Sequence, residues 1–187
     1  MEPLKTLYAT NRTEWRAWLN EHFDKEKEVW LIFPKKSSGR EGVSYNDAVE
    51  EALCFGWIDS IVRSFDEESR IQRFTPRSQK STYSQPNRER LRWLDQENML
   101  HPSVKDAVKG VLGEVFVFPE DVLGVIRSDE LVLENYNRFS PSYQRIRVAY
   151  IEAARKRPEE FEKRLANFIR KTRANKVIGY GGIEKYY

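Results

Sequence analysis

The stretch from Trp57 to Asn87 concentrates the side chains able to bind or transform a ligand. Asp59 is a lone carboxylate at the apolar start of a strand-like run. Arg63, Arg70, Arg73, Arg77 and Lys80 follow it, with Ser81, Tyr83, Ser84 and Asn87 beyond. Residues 70–92 hold seven Lys/Arg against one Glu. Basic side chains interleaved with Phe74 and Tyr83 are what a phosphate or nucleic-acid contact uses. Guanidiniums also pair with carboxylates through two hydrogen bonds, so an ion pair of Asp59 with Arg73 or Arg77 that only builds the fold carries equal weight. We expect a ligand pocket with Trp57 as wall, Asp59 as orienting carboxylate, Arg73 and Arg77 as anion holders and Asn87 as polar reader. No residue is assigned a catalytic role.

The other reactive residue types point to structure. Cys54 is the single cysteine. A nucleophilic thiol needs a helix N-terminus or a neighbouring cation to lower its pKa. Cys54 instead falls near a predicted helix C-terminus, on a face with Asp47, Glu50 and Glu51, and reads as a small buried hydrophobe. Two histidines, His22 and His101, do not make a usual metal site, and His101 before Pro102 reads as a helix cap. The chain has no GxSxG elbow, phosphate-binding loop, HExxH or paired CxxC. Neither metal nor cofactor is expected.

Net charge is +3, unevenly spread. Residues 140–176 carry eleven Lys/Arg against four Asp/Glu, whereas residues 1–139 carry 20 against 24. Such asymmetry suits an anionic partner. A solvated helical surface, with cations complementing helix C-termini, explains it at least as well. Nucleic-acid binding is therefore a weak alternative reading. Hydrophobic residues make up 40% and aromatics 13%, enough to build a core despite a mean hydropathy of -0.72.

The elements that must position these residues follow from periodicity. Asn11 or Thr13 caps a helix with Trp15, Trp18, Leu19 and Phe23 inward. Residues 28–33 form a buried strand ended by Pro34. Ser44 and Asp47 start a second helix with Tyr45, Ala48, Val49, Ala52 and Leu53 as its stripe, and Gly56 closes it. Trp57–Arg63 and Arg70–Thr75 form a hairpin around 66–69; centred on 67–68, that turn sets Ile61 opposite Phe74. Helices are expected at about 84–98, after His101-Pro102, at about 129–138, from Pro141 and from Pro158. Residues 111–118 read equally as strand or linker, and the Gly-rich tail from Ile178 as loose or late-docking.

The run Glu51-Ala-Leu-Cys-Phe-Gly-Trp-Ile-Asp59, with Arg73-Phe-Thr-Pro-Arg77, resembles the signature of the YdeI/OmpD-associated (bacteriocin-protection) family. Ser81-Thr-Tyr-Ser84 and Asn87-Arg-Glu-Arg90 match the serine-rich segment and Asn-Arg helix that follow there. The resemblance extends over about residues 5–110. Phe139-Ser-Pro-Ser-Tyr143 and the helix to Arg157 are similar to the family's smaller helical segment. Tyr83 stands where the family usually has Trp, Gln85-Pro86 replaces a Ser/Lys-type step, and Glu159–Arg164 departs from the family pattern. The resemblance implies a role in bacteriocin or antimicrobial-peptide protection and supplies no catalytic residue.

The expected fold is α+β, a small antiparallel sheet packed with helices and followed by an all-helical C-terminal segment. The expected domains are 1–118, with both motifs, and 119–187. The expected function is a non-enzymatic stress or bacteriocin-protection binding protein with a small anionic ligand; the alternatives are weak nucleic-acid binding and an enzyme using Asp59 as acid or base. No apolar run reaches the ~20 residues of a membrane span. Members of the family have been thought periplasmic, but no export signal or disulfide pair is present, so a cytoplasmic location is expected.

Overall fold

The structure, a computed structural model, describes residues 4–78, 81–179 and 183. Lys80 and most of the tail after Gly179 lie outside the described residues. The chain divides into two compact units, residues 1–83 with 90–112, and residues 84–89 with 113–187.

The first unit holds all four strands: β1 (Thr6–Tyr8), β2 (Val29–Pro34), β3 (Trp57–Ser64) and β4 (Ser69–Pro76), in the order β1-β2-β4-β3. β2, β4 and β3 are antiparallel, and β1 adds to β2 in parallel. The α+β class expected from the sequence is the observed one. The helices of this unit are α1 (Arg12–His22), α2 (Tyr45–Cys54), the second half of α3 (Gln85–Gln96) and α4 (Pro102–Gly113).

Strand alternation decides what the helices cover. Val29, Leu31 and Phe33 point to one face of β2, and the register sets Phe74 beside Val29 and Gln72 beside Leu31. That face packs with Trp15 and Leu19 of α1, Ala48, Val49, Ala52 and Leu53 of α2, and Leu91 and Leu94 of α3 in one core. Asn11, rather than Thr13, caps α1 by accepting from the Glu14 N–H. Ser44 caps α2 by accepting from the Asp47 N–H, while its hydroxyl donates to Asp47 Oδ2 at 2.7 Å. Gly56, at φ 71°, turns the chain from α2 into β3 in the left-handed region that glycine adopts without strain.

The hairpin register differs from the expectation. Asp59, not Ile61, faces Phe74, and the pairing shifts between Asp59 and Val62. The shift is a β-bulge, an inserted residue that the alternating pattern of the sequence does not mark.

The second unit is helical: α5 (Glu120–Arg127), α6 (Glu130–Arg138), α7 (Pro141–Glu152) and α8 (Pro158–Arg173). Its core gathers Val122 and Ile126, Val132 and Tyr136, Tyr143, Val148 and Ile151, and Phe168. Pro141 follows the Ser140 cap and Pro158 opens α8. At those positions the missing N–H costs nothing. Residues 111–113 end α4, and 114–119 carry no regular structure.

Candidate functional site

Trp57 sits at the start of β3 with its indole 1% exposed. Its Nε1 donates to the Phe23 carbonyl at 2.9 Å, and its ring meets Trp18 edge-on at 5.9 Å. Both ring and N–H are engaged by the core. Asp59, two residues on, lies on the same face as its partner Phe74. It is half-buried, and its Oδ2 accepts from Tyr45 Oη at 2.8 Å and Gln72 Nε2 at 3.2 Å. The Ser44 cap brings Tyr45 there, because it fixes the first residue of α2 directly over the strand.

Arg73 is one residue from Gln72 and Phe74, so alternation sends it to the opposite face of the sheet. There its Nε donates to Glu28 Oε2 at 2.8 Å. Arg73 holds the Glu28 carboxyl below the usual carboxylate range. Among the described residues neither Arg73 nor Arg77 pairs with Asp59; the carboxylate of Arg73 is Glu28.

Arg77 follows Pro76, which ends β4, and its N–H donates to the Gly56 carbonyl at 2.8 Å. The guanidinium lies 3.7 Å from the Tyr83 ring centroid. Nη2 donates to the Ser81 carbonyl at 3.3 Å and to the Thr82 carbonyl. Nε is buried without an acceptor, and no carboxylate forms an ion pair with Arg77 among the described residues. Burial lowers the Arg77 pKa and raises that of Tyr83. A part-buried guanidinium with a buried Nε and no carboxylate partner among the described residues is the unusual electrostatic feature of this region. Asn87 lies in the first turn of α3, in the segment 84–89 that belongs to the second unit.

The spacing argument missed a buried ionic cluster. Glu50 and Glu51 are both 0% exposed. Arg12 Nη1 contacts Asp47 Oδ1 at 3.0 Å and Glu50 Oε2 at 2.8 Å, and its Nε donates to Glu51. Arg16 Nη1 donates to the other Glu51 oxygen at 2.6 Å, and its Nη2 to the Met99 carbonyl at 2.8 Å. Burial pulls the Arg12 pKa down, but Glu51 and then Glu50 outweigh it and leave it raised. The detectable signal is a pair of matched stripes, with cations four apart on α1 and acids three and four apart on α2.

Cys54 borders this cluster at 0% exposure. Burial, then the Glu51 charge, pushes its thiol up to about 12. Iodoacetamide at pH 8 should leave the native protein unlabelled and modify it once in denaturant. Stoichiometric labelling of the folded protein would contradict this placement.

Residues 7–107 match the family model described as "Domain of unknown function (DUF8412)". Residues 115–175 match the one described as "Bacteriocin-protection, YdeI or OmpD-Associated". The chain belongs to the DUF8412 family and carries a YdeI/OmpD-associated domain. The YdeI/OmpD-associated resemblance is thus shown on the helical unit, whereas the stretch of about residues 5–110 that carries the quoted 51–59 and 73–77 motifs matches the DUF8412 model instead. No curated protein and no solved structure matches the chain.

Within the YdeI/OmpD-associated domain, several of the basic residues serve ion pairs. Arg155 pairs with Glu152 and Asp121, Arg164 with Glu160, and Arg173 with Asp129. Arg145 makes a two-pronged contact with Glu89, both bonds at 2.7 Å, and Glu89 is 3% exposed. These cations are engaged in holding helices, which weakens the nucleic-acid reading. Among the described residues no helix is long and apolar enough to cross a membrane.

Proposed function

We propose that this protein binds a small anion without transforming it, at the corner where Arg77 meets Tyr83 and the Gly56–Trp57 turn. Supporting it is the Arg77 guanidinium, part-buried on an aromatic ring with a buried Nε that has no acceptor among the described residues. Such a group lacks only an anion to satisfy its charge and its hydrogen bonds. Asp59, oriented by Tyr45 and Gln72, serves as the polar boundary of the site. The binding serves a protective role of the kind named for the C-terminal domain, and the free, buried Cys54 suits a reducing cytoplasm.

A thermal-shift series against phosphate, sulfate, acetate, citrate and a short oligonucleotide tests this. An anion at 100 times its Kd stabilises by about 2.7 kcal/mol, a rise of about 5–10 °C at this chain length. The reading requires that rise with at least one small anion. A shift with the oligonucleotide alone would overturn it in favour of a macromolecular partner.

A further inference from the structure

The helical unit contains a cleft of about 460 Å³ between α7, α8 and the segment 178–179. Its volume lies within the usual range for small-molecule sites, roughly 300–1,000 Å³. The two halves of its lining differ in character. Ile151 and Phe168, both 1% exposed, and Ile178 supply an apolar floor. Lys163, Arg164 and Arg147 supply positive charge around it, and Tyr150 and Asn167 complete the wall.

The cations are placed differently. Arg147 is 4% exposed and is held in place, with Nη2 donating to the Gly179 carbonyl at 3.2 Å and its guanidinium 5.5 Å from the Tyr143 ring centroid. Arg164 donates from Nε to Glu160 and from Nη1 to the Tyr150 carbonyl, each at 2.7 Å, and stacks 3.9 Å from the Tyr150 ring centroid. Its orientation is thereby fixed while Nη2 has no partner among the described residues. Lys163 is exposed at the rim and makes no ion pair or hydrogen bond among the described residues. Glu160, the one acid in the lining among the described residues, is engaged by Arg164, whose hydrogen bond holds its carboxyl below the usual range.

We propose that this cleft is a second ligand site, for a small organic anion with an apolar body, its acidic head against Lys163 and Arg164 and its body on Ile151, Phe168 and Ile178. A bare inorganic ion would leave the apolar floor wet, and a neutral hydrocarbon would leave the Lys163 charge and the Arg164 Nη2 unmatched. An amphipathic carboxylate or phosphate monoester satisfies both halves. The site is independent of the Arg77 corner, since none of its lining belongs to the first unit.

Isothermal titration of the full chain with octanoate, phenyl phosphate, inorganic phosphate and octanol tests the assignment. Octanoate or phenyl phosphate should bind, and which of them binds tighter identifies the head group. Inorganic phosphate and octanol should each bind at least tenfold more weakly at this site. Lys163→Glu, on the exposed face of α8, should weaken binding at least tenfold with an unchanged circular dichroism spectrum, whereas Arg77→Ala should leave it intact. The proposal is overturned if neither amphipathic anion binds, if octanol binds as well as octanoate, or if Lys163→Glu binds like wild type. Loss of binding in Arg77→Ala would move the ligand to the first unit and overturn it as well.

Discussion

Replacing Arg12 by Met should cost about 3–5 kcal/mol of stability, the usual cost of removing one partner from a buried ion pair. Arg12 bridges Asp47, Glu50 and Glu51, and both glutamates have fully buried side chains. Removing it takes an ion pair from each of two buried carboxylates, of which Glu51 keeps its pair with Arg16. Against a total of roughly 5–15 kcal/mol for a folded domain, that loss shifts the urea midpoint strongly. Lys5→Met, which removes the exposed pair with Glu26, is the matched control. It should change stability by less than about 1 kcal/mol. Equal effects of the two substitutions would show that the buried cluster is not what ties α1 to α2.

Trp15→Ala should be of similar size, about 3–5 kcal/mol, for a different reason. Trp15 is 0% exposed, stacks on Trp18 at 5.4 Å and leans on Phe74 at 5.3 Å. Its Nε1 also donates to the Ala48 carbonyl at 3.0 Å. Truncation opens a cavity where α1, α2 and the sheet meet and removes that indole hydrogen bond. Trp15→Phe keeps most of the volume and loses the hydrogen bond, so it should cost about 1–3 kcal/mol. An Ala variant no less stable than the Phe variant would place the weight on the hydrogen bond rather than on packing.

The fold was legible where one local signal sufficed. Ser44, Ser140, Pro141 and Pro158 mark helix starts by cap chemistry, and the alternation in Arg70–Thr75 marks a half-buried strand. β1 escaped because three residues carry no usable period, and its parallel pairing with β2 is decided by tertiary contacts. α5 escaped because Pro119 caps it without a side-chain hydrogen bond and Gly124 interrupts its pattern. The cap expected at His101 is local too: its Nδ1 accepts from the Ser103 N–H at 3.3 Å at the start of α4.

The candidate site was legible as a list of residues but not as a geometry. Asp59, Arg73 and Arg77 lie near the hairpin in sequence, yet alternation separates Arg73 from Asp59 across the sheet. The bulge after Asp59 then resets which residues of β3 face which of β4. Glu28, the partner of Arg73, immediately precedes β2 and is 45 residues away in sequence. The Arg12–Glu51 contact likewise joins two helices 39 residues apart. Neither distance leaves a mark on local periodicity.

The most direct measurement is isothermal titration of the best small anion into wild type, Arg77→Lys and Arg77→Ala. If the part-buried Arg77 guanidinium is the anion holder, Arg77→Ala should lose binding by at least tenfold. Arg77→Lys should fall between, because an ammonium keeps the charge but not the planar fork or its stacking on Tyr83. Unchanged affinity in folded Arg77→Ala would contradict the account and leave the corner as a purely structural contact.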